Sequence, residues 1–132
     1  MNEAIRNIEP KELWNKFADL NAVPRPSKKE EKVIDFMRNF GENLGLNTLV
    51  DDIGNVIITK PASPGMEGRK AIVMQSHLDM VHQKNNDTDF DFDKQGITMF
   101  VEGDWVKANG TTLGADNGIG VATIMAILES KT

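Results

Sequence analysis

Residues 71–79 read Ala-Ile-Val-Met-Gln-Ser-His-Leu-Asp, and the fold turns on them. An apolar run without the alternation of a half-exposed strand predicts a strand inside a sheet that helices cover on both faces. The His-x-Asp that closes it adds chemistry. Along extended backbone, residues two apart point to the same side, so His77 and Asp79 sit together at the rim of that sheet. A carboxylate placed there accepts the hydrogen bond of the imidazole nitrogen facing away from a metal, which fixes the ring's tautomer. The competing reading of His77 is a structural histidine with its hydrogen bonds satisfied.

Toward the N-terminus, Pro61 to Gly68 is a connecting loop, with two prolines and two glycines. Before it, Leu46 to Val50 and Asn55 to Lys60 predict a hairpin around Asp51-Asp52-Ile53-Gly54. A first helix is expected from Pro10 to Leu20, with Leu13, Phe17 and Leu20 on one face. Ser27 followed by Glu30 matches a capping box, and Val33, Met37, Phe40 and Leu44 form an apolar stripe that ends near Gly45.

Toward the C-terminus, Met80 to Asp93 has neither helical nor strand period and reads as loop. Ile97 to Val101 and Trp105 to Lys107 predict a second hairpin. Gly110 to Gly120, GTTLGADNGIG, then leads into a helix that is apolar nearly all round: Ile119, Val121, Ala122, Ile124, Met125, Ile127 and Leu128. Such a helix needs cover on most sides. The preceding strands supply only one sheet face, so the chain is expected to be cut short at Thr132 and to self-associate.

The 132 residues, 39% hydrophobic and 27% charged, suit one folded domain. The absence of cysteine removes disulfides, thiolate nucleophiles and Cys-type zinc sites, so any metal is left to His, carboxylate or backbone oxygen. No apolar stretch is long enough to cross a bilayer, and the charged start MNEAIRNIEPKELW is no secretion signal. A cytoplasmic location with no membrane partner is expected. The net charge of −5 is concentrated in residues 76–104, where seven acidic residues face two lysines. That argues against a nucleic-acid partner, which requires clustered Lys and Arg. A solvated acidic loop accounts for the charge.

Asp116, in Gly114-Ala115-Asp116-Asn117-Gly118, reads either as a helix N-cap or as a metal ligand held by a glycine-rich turn. Phosphate binding at this helix start is disfavoured: the segment has no dinucleotide or Walker spacing, and it puts a carboxylate where the anion would lie. Asp91 to Glu102, DFDKQGITMFVE, resembles a calcium loop, with Asp91, Asp93 and Gln95 at the first, third and fifth positions, Gly96 sixth and Glu102 twelfth. It lacks the flanking helices that such a loop needs. His82 lies in a polar loop and needs no role beyond solvation.

SHLDMVHQKNNDTDFDFD and EGDWVKANGTTLGADNGIGVA, together with PRPS and DDIGNVII, closely resemble the aminoacyl-histidine dipeptidases, the carnosinase-like Xaa-His metallopeptidases. The resemblance spans nearly the whole chain. It implies an α/β fold, the N-terminal part of a three-layer α/β/α zinc-peptidase catalytic domain with a mixed sheet, lacking the lid and dimerisation domain. It also implies two zinc ions, with manganese or cobalt as alternatives. His77 would ligate one ion, Asp79 would be the catalytic residue orienting His77, and Asp116 would bridge both across a cis bond to Asn117. The implied reaction is hydrolysis of dipeptides, Xaa-His above all, by a homodimer. Its general-base glutamate, a further acidic ligand and a late histidine would lie downstream of these 132 residues, so the isolated chain is expected to be inactive.

Overall fold

The computed structural model describes residues 2–131. Four helices, α1 (Glu3–Arg6), α2 (Lys11–Asn21), α3 (Glu31–Asn43) and α4 (Ala115–Glu129), accompany four short strands, β1 (Asn47–Val50), β2 (Val56–Thr59), β3 (Met99–Glu102) and β4 (Trp105–Ala108). The mixture is α/β in composition.

α2 and α4 pack against each other at the centre. Phe17 and Ala18 of α2, with Ala122 of α4, face one core completed by Ile5, Met80, Ile97 and Met99. Leu20 of α2, with Val121 and Met125 of α4, faces a second core built with Val33 and Met37 of α3. Both expected stripes therefore bury their apolar faces; full burial of a side chain such as Phe17 or Leu20 contributes about 1.5–3 kcal/mol. α4 is covered on one side only, and Ile127 stays half exposed.

The two expected hairpins are present. β1 pairs antiparallel with β2 and β3 with β4. Asp51 shapes the first turn: its Oδ1 accepts hydrogen bonds from the backbone N–H of Ile53, Gly54 and Asn55 at 2.8–3.1 Å.

Two expectations are corrected. Residues 71–76 are not a strand, and no mixed sheet forms among the described residues: each sheet is a two-stranded antiparallel ribbon. A strand exists through its ladder, and no described segment offers residues 71–76 a backbone partner, which leaves Ile72 83% and Val73 91% exposed. Among the described residues its backbone pairs only at Met80, in an isolated parallel bridge with Pro26. The capping box is also absent. α3 begins at Glu31 without a side-chain cap; Glu30 Oε1 accepts from the Lys28 backbone N–H at 2.6 Å, and the Ser27 hydroxyl points elsewhere.

Candidate metal centre

Two arms bring the expected residues together. The first is the Ser76–Met80 segment, held at Met80, whose N–H donates to the Arg25 carbonyl at 3.0 Å and whose carbonyl accepts from Ser27 N–H at 3.1 Å. The second is the approach to α4. Residues 83–85 and 110–112 run antiparallel through an isolated Lys84–Thr111 bridge, with Asn85 N–H on the Gly110 carbonyl and Thr112 N–H on that of Gln83, both at 2.8 Å. Asp116 and Asn117 keep non-helical backbone angles, and the peptide bond between them is cis, as the resemblance implies.

Asp116 is not the helix cap. Asn117 takes that work, its Oδ1 accepting from the Gly120 N–H at 3.1 Å, which frees the neighbouring carboxylate. His77 lies between two carboxylates: Nδ1 is 3.1 Å from Asp79 Oδ1, and Nε2 is 3.0 Å from Asp116 Oδ1. With Nδ1–H donated to Asp79, the Nε2 lone pair points at an anionic oxygen. A cation between them, a proton or a metal ion, would relieve that repulsion.

The titration behaviour follows. The His77 pKa is raised above the usual imidazole value, first by the Asp116 hydrogen bond, then, after a smaller opposing effect of burial, by the Asp79 carbonyl and carboxylate. The Asp79 carboxyl is held below its usual range, first by the Ser27 hydroxyl, whose Oγ donates to Oδ2 at 2.6 Å, and then, against a burial effect that raises it, by His77.

The donors also suit zinc in kind and spacing. Two ligands about 2.0–2.1 Å from a tetrahedral zinc lie roughly 3.3 Å apart, close to the 3.0 Å separating His77 Nε2 and Asp116 Oδ1. The Asp116 side chain is 97% exposed, so the pair opens to solvent. Among the described residues no group of three or more His, Cys, Asp or Glu side chains that could hold a metal ion converges; His77 and Asp116 are the pair that faces one point.

Beneath the site is a residue that the sequence reading passed over. Arg25 is 1% exposed. Its Nη1 donates to the carbonyls of Leu78 at 3.1 Å and Asp79 at 3.4 Å, and its Nη2 to Asn21 Oδ1 at 2.7 Å and the Gly114 carbonyl at 2.9 Å. Nε is buried with no partner. Burial pulls the pKa down to about 10, with Asp79 acting in the opposite sense, so the group stays charged at neutral pH. One guanidinium thus fastens the His77 arm to the Asp116 arm. Two glycines make room for it: a Cβ at Gly114 would lie 2.6 Å from Nη2 and one at Gly118 2.7 Å. Those glycines, with an arginine fixed between Pro24 and Pro26, were the available signal.

The calcium-loop reading does not survive. Asp93 Oδ2 pairs with Lys29 Nζ at 2.7 Å, Asp91 Oδ1 accepts from the Asp93 backbone N–H at 2.9 Å, and Glu102 pairs with Lys107 across the β3–β4 ribbon. A strand follows where a helix is required. His82 packs edge-on against Phe92, ring centroids 5.6 Å apart, and takes no part in the His77 site.

No family model matches the chain. Among curated proteins, it is 48% identical over 127 residues to the cytosol non-specific dipeptidase of Escherichia coli strain K12, over 96% of this chain and 26% of that one. Among solved structures, the aminoacylhistidine dipeptidase of Vibrio alginolyticus matches with a TM-score of 0.94 and 46% identity, over 99% of this chain and 27% of that one. A Staphylococcus aureus tripeptidase shares the fold, with a TM-score of 0.67 at 21% identity over 92% of this chain and 32% of that one. The chain spans about a quarter of the length of the curated relative it matches. The resemblance to aminoacyl-histidine dipeptidases read from the sequence is borne out.

Proposed function

We propose, with that resemblance as premise, that this chain forms one part of the catalytic centre of a two-zinc dipeptidase acting on dipeptides such as Xaa-His. The observation that carries the reading is the position of His77, with one ring nitrogen on Asp79 and the other facing Asp116. His77 Nε2 would ligate one zinc and Asp116 would bridge two, with manganese or cobalt as alternative ions. Zinc held there would supply Lewis acidity, activating water near neutral pH and polarising a scissile carbonyl.

The residues of this chain do the positioning. Asp79 accepts the hydrogen bond of Nδ1–H, which directs the Nε2 lone pair outward and makes the ring a better ligand. Asp116, on the short non-helical stretch before Gly118, presents its carboxylate to solvent from a backbone fixed through Gly114 by Arg25. The remaining ligands and the general base belong to sequence outside these residues. There too would lie the strands that turn residues 71–76 into part of a three-layer α/β/α sheet, and the lid and dimerisation domain of a cytoplasmic homodimer. Among the described residues no helix is long and apolar enough to cross a membrane.

Two measurements test this. Isothermal titration of the isolated chain with zinc should show weak binding and no dipeptide hydrolysis; tight uptake of two ions would overturn the partial-site reading. In the longer protein, His77→Ala and Asp116→Ala should each abolish dipeptide hydrolysis. Unchanged turnover in either variant would remove that residue from the site.

A further inference from the structure

The Pro24-Arg25-Pro26-Ser27 segment lies along Asp79–Met80, paired through Met80 N–H to the Arg25 carbonyl and Ser27 N–H to the Met80 carbonyl. That pairing leaves the Ser27 hydroxyl beside the Asp79 carboxylate. Two acceptors lie within its reach, Asp79 Oδ2 at 2.6 Å and the Met80 carbonyl at 3.1 Å. A hydroxyl has one proton, and the shorter, charge-assisted bond to the carboxylate takes it. The two oxygens of Asp79 are thereby divided, Oδ2 to Ser27 and Oδ1 to His77 Nδ1. Since α3 starts only at Glu31, this serine has no capping duty to perform.

We propose that Ser27 is a positioning residue of the metal centre: its hydroxyl locks the rotation of the Asp79 carboxylate, keeps the proton of His77 on Nδ1, and leaves Nε2 free for the cation shared with Asp116. The proposal rests on the metal reading of His77 and Asp116 given above. Without the hydroxyl, Oδ2 loses its donor and the carboxylate turns. The Asp79 carbonyl, also 3.1 Å from Nδ1, is then the only fixed acceptor for that nitrogen. Partners of metal-bound histidines affect metal affinity about 10- to 100-fold. Ser27 acts one bond further out, and its loss should weaken zinc binding about three- to tenfold.

The test uses this chain with nitrogen-15 histidine, followed by long-range proton–nitrogen NMR with the pH raised until the His77 signals show a neutral ring, since Asp116 holds its pKa above that of free imidazole. The chain has two histidines, and His82 serves as the internal reference. The expected result has three parts. The parent shows His77 with Nδ1 protonated; Ser27→Ala shows a mixture of tautomers and weaker zinc response at Nε2; Ser27→Thr, which keeps the hydroxyl, restores both. Thermal unfolding of Ser27→Ala within a few degrees of the parent separates this role from a structural one. Should the alanine variant not fold, Ser27→Cys, similar in volume and a weak donor, should give the same tautomer change. A His77 tautomer ratio and zinc affinity unaltered in Ser27→Ala would overturn the proposal. Absence of any zinc response at His77 in the longer protein would instead overturn the metal reading, while the tautomer comparison would still decide the role of Ser27.

Discussion

Arg25 and Gly114, 89 positions apart in the chain, are joined by a hydrogen bond of 2.9 Å from Nη2 to the carbonyl oxygen. The same guanidinium reaches the Leu78 carbonyl at 3.1 Å, so one buried cation ties the segments carrying His77 and Asp116, alongside the bond from the Ser76 hydroxyl to the Asn117 carbonyl at 3.2 Å.

Arg25→Met should therefore destabilise the fold by at least about 2 kcal/mol, because buried acceptors left unpaired cost about 1–3 kcal/mol each. Removing a buried charge relieves some desolvation, but the backbone carbonyls that lose their donor cannot be replaced along with it. Arg25→Lys should recover only part, since an ammonium lacks the planar fork that reaches both arms. Urea denaturation measures the change, and an unaltered midpoint in the methionine variant would contradict it.

At Gly118 two effects of opposite sign compete. Alanine is the better helix residue by about 1 kcal/mol. Its Cβ, however, would lie 2.7 Å from Arg25 Nη2 and 2.9 Å from Phe17 Cε2, and overpacking of this kind costs about 1–3 kcal/mol. Gly118→Ala should lower the thermal midpoint. A rise would show that the guanidinium and Phe17 move aside freely.

Asp51 gives the hairpin a pH dependence. Its carboxyl is held below the usual range, first by the Asn55 side chain, which donates to Oδ2 at 2.8 Å, and then by backbone N–H groups. With the folded pKa below the unfolded value of about 3.9, the stabilisation is fully present above that value and lost as pH falls through the folded one. Asp51→Ala should remove this part of the acid sensitivity. Denaturation curves of the two proteins recorded from neutral pH down to about pH 3 should converge as the carboxylate protonates; a constant gap across that range would refute the assignment.

Residues 71–74 present Ile72, Val73 and Met74 to solvent with no backbone partner among the described residues. An unpaired apolar segment is a template for pairing with another chain. The isolated chain should therefore self-associate with rising concentration, and Val73→Lys should suppress this. Light scattering that finds the parent monomeric at high concentration would count against it.

Helices α2 and α3 and both hairpins were legible because their signals are local. Apolar residues at helical spacing select a buried face, and Asp51 with Gly54 makes a turn within four residues. The Ser27–Glu30 pattern misled for the opposite reason. A serine three residues before a glutamate is a capping signal only if nothing better reaches the hydroxyl, and here a carboxylate 52 positions away does. α1, four residues long, is too short to carry a period. The ring packing of Phe90 on Phe92 and of Phe92 on His82 has no periodic signature either.

From sequence alone came the chemical kind of the site, an imidazole with a carboxylate two residues on and a second carboxylate in a glycine-rich turn, along with the resemblance that joins them. Extended backbone places His77 and Asp79 on one side whatever lies around them. Tertiary structure alone decided that Asp116 faces Nε2, that Ser27 holds Asp79 rather than a helix, that Arg25 is buried between the two arms, and that residues 71–76 lack a ladder. Each of these depends on hydrogen bonds between groups tens of residues apart, whose partners emerge only once α2 and α4 have packed and brought the two arms together.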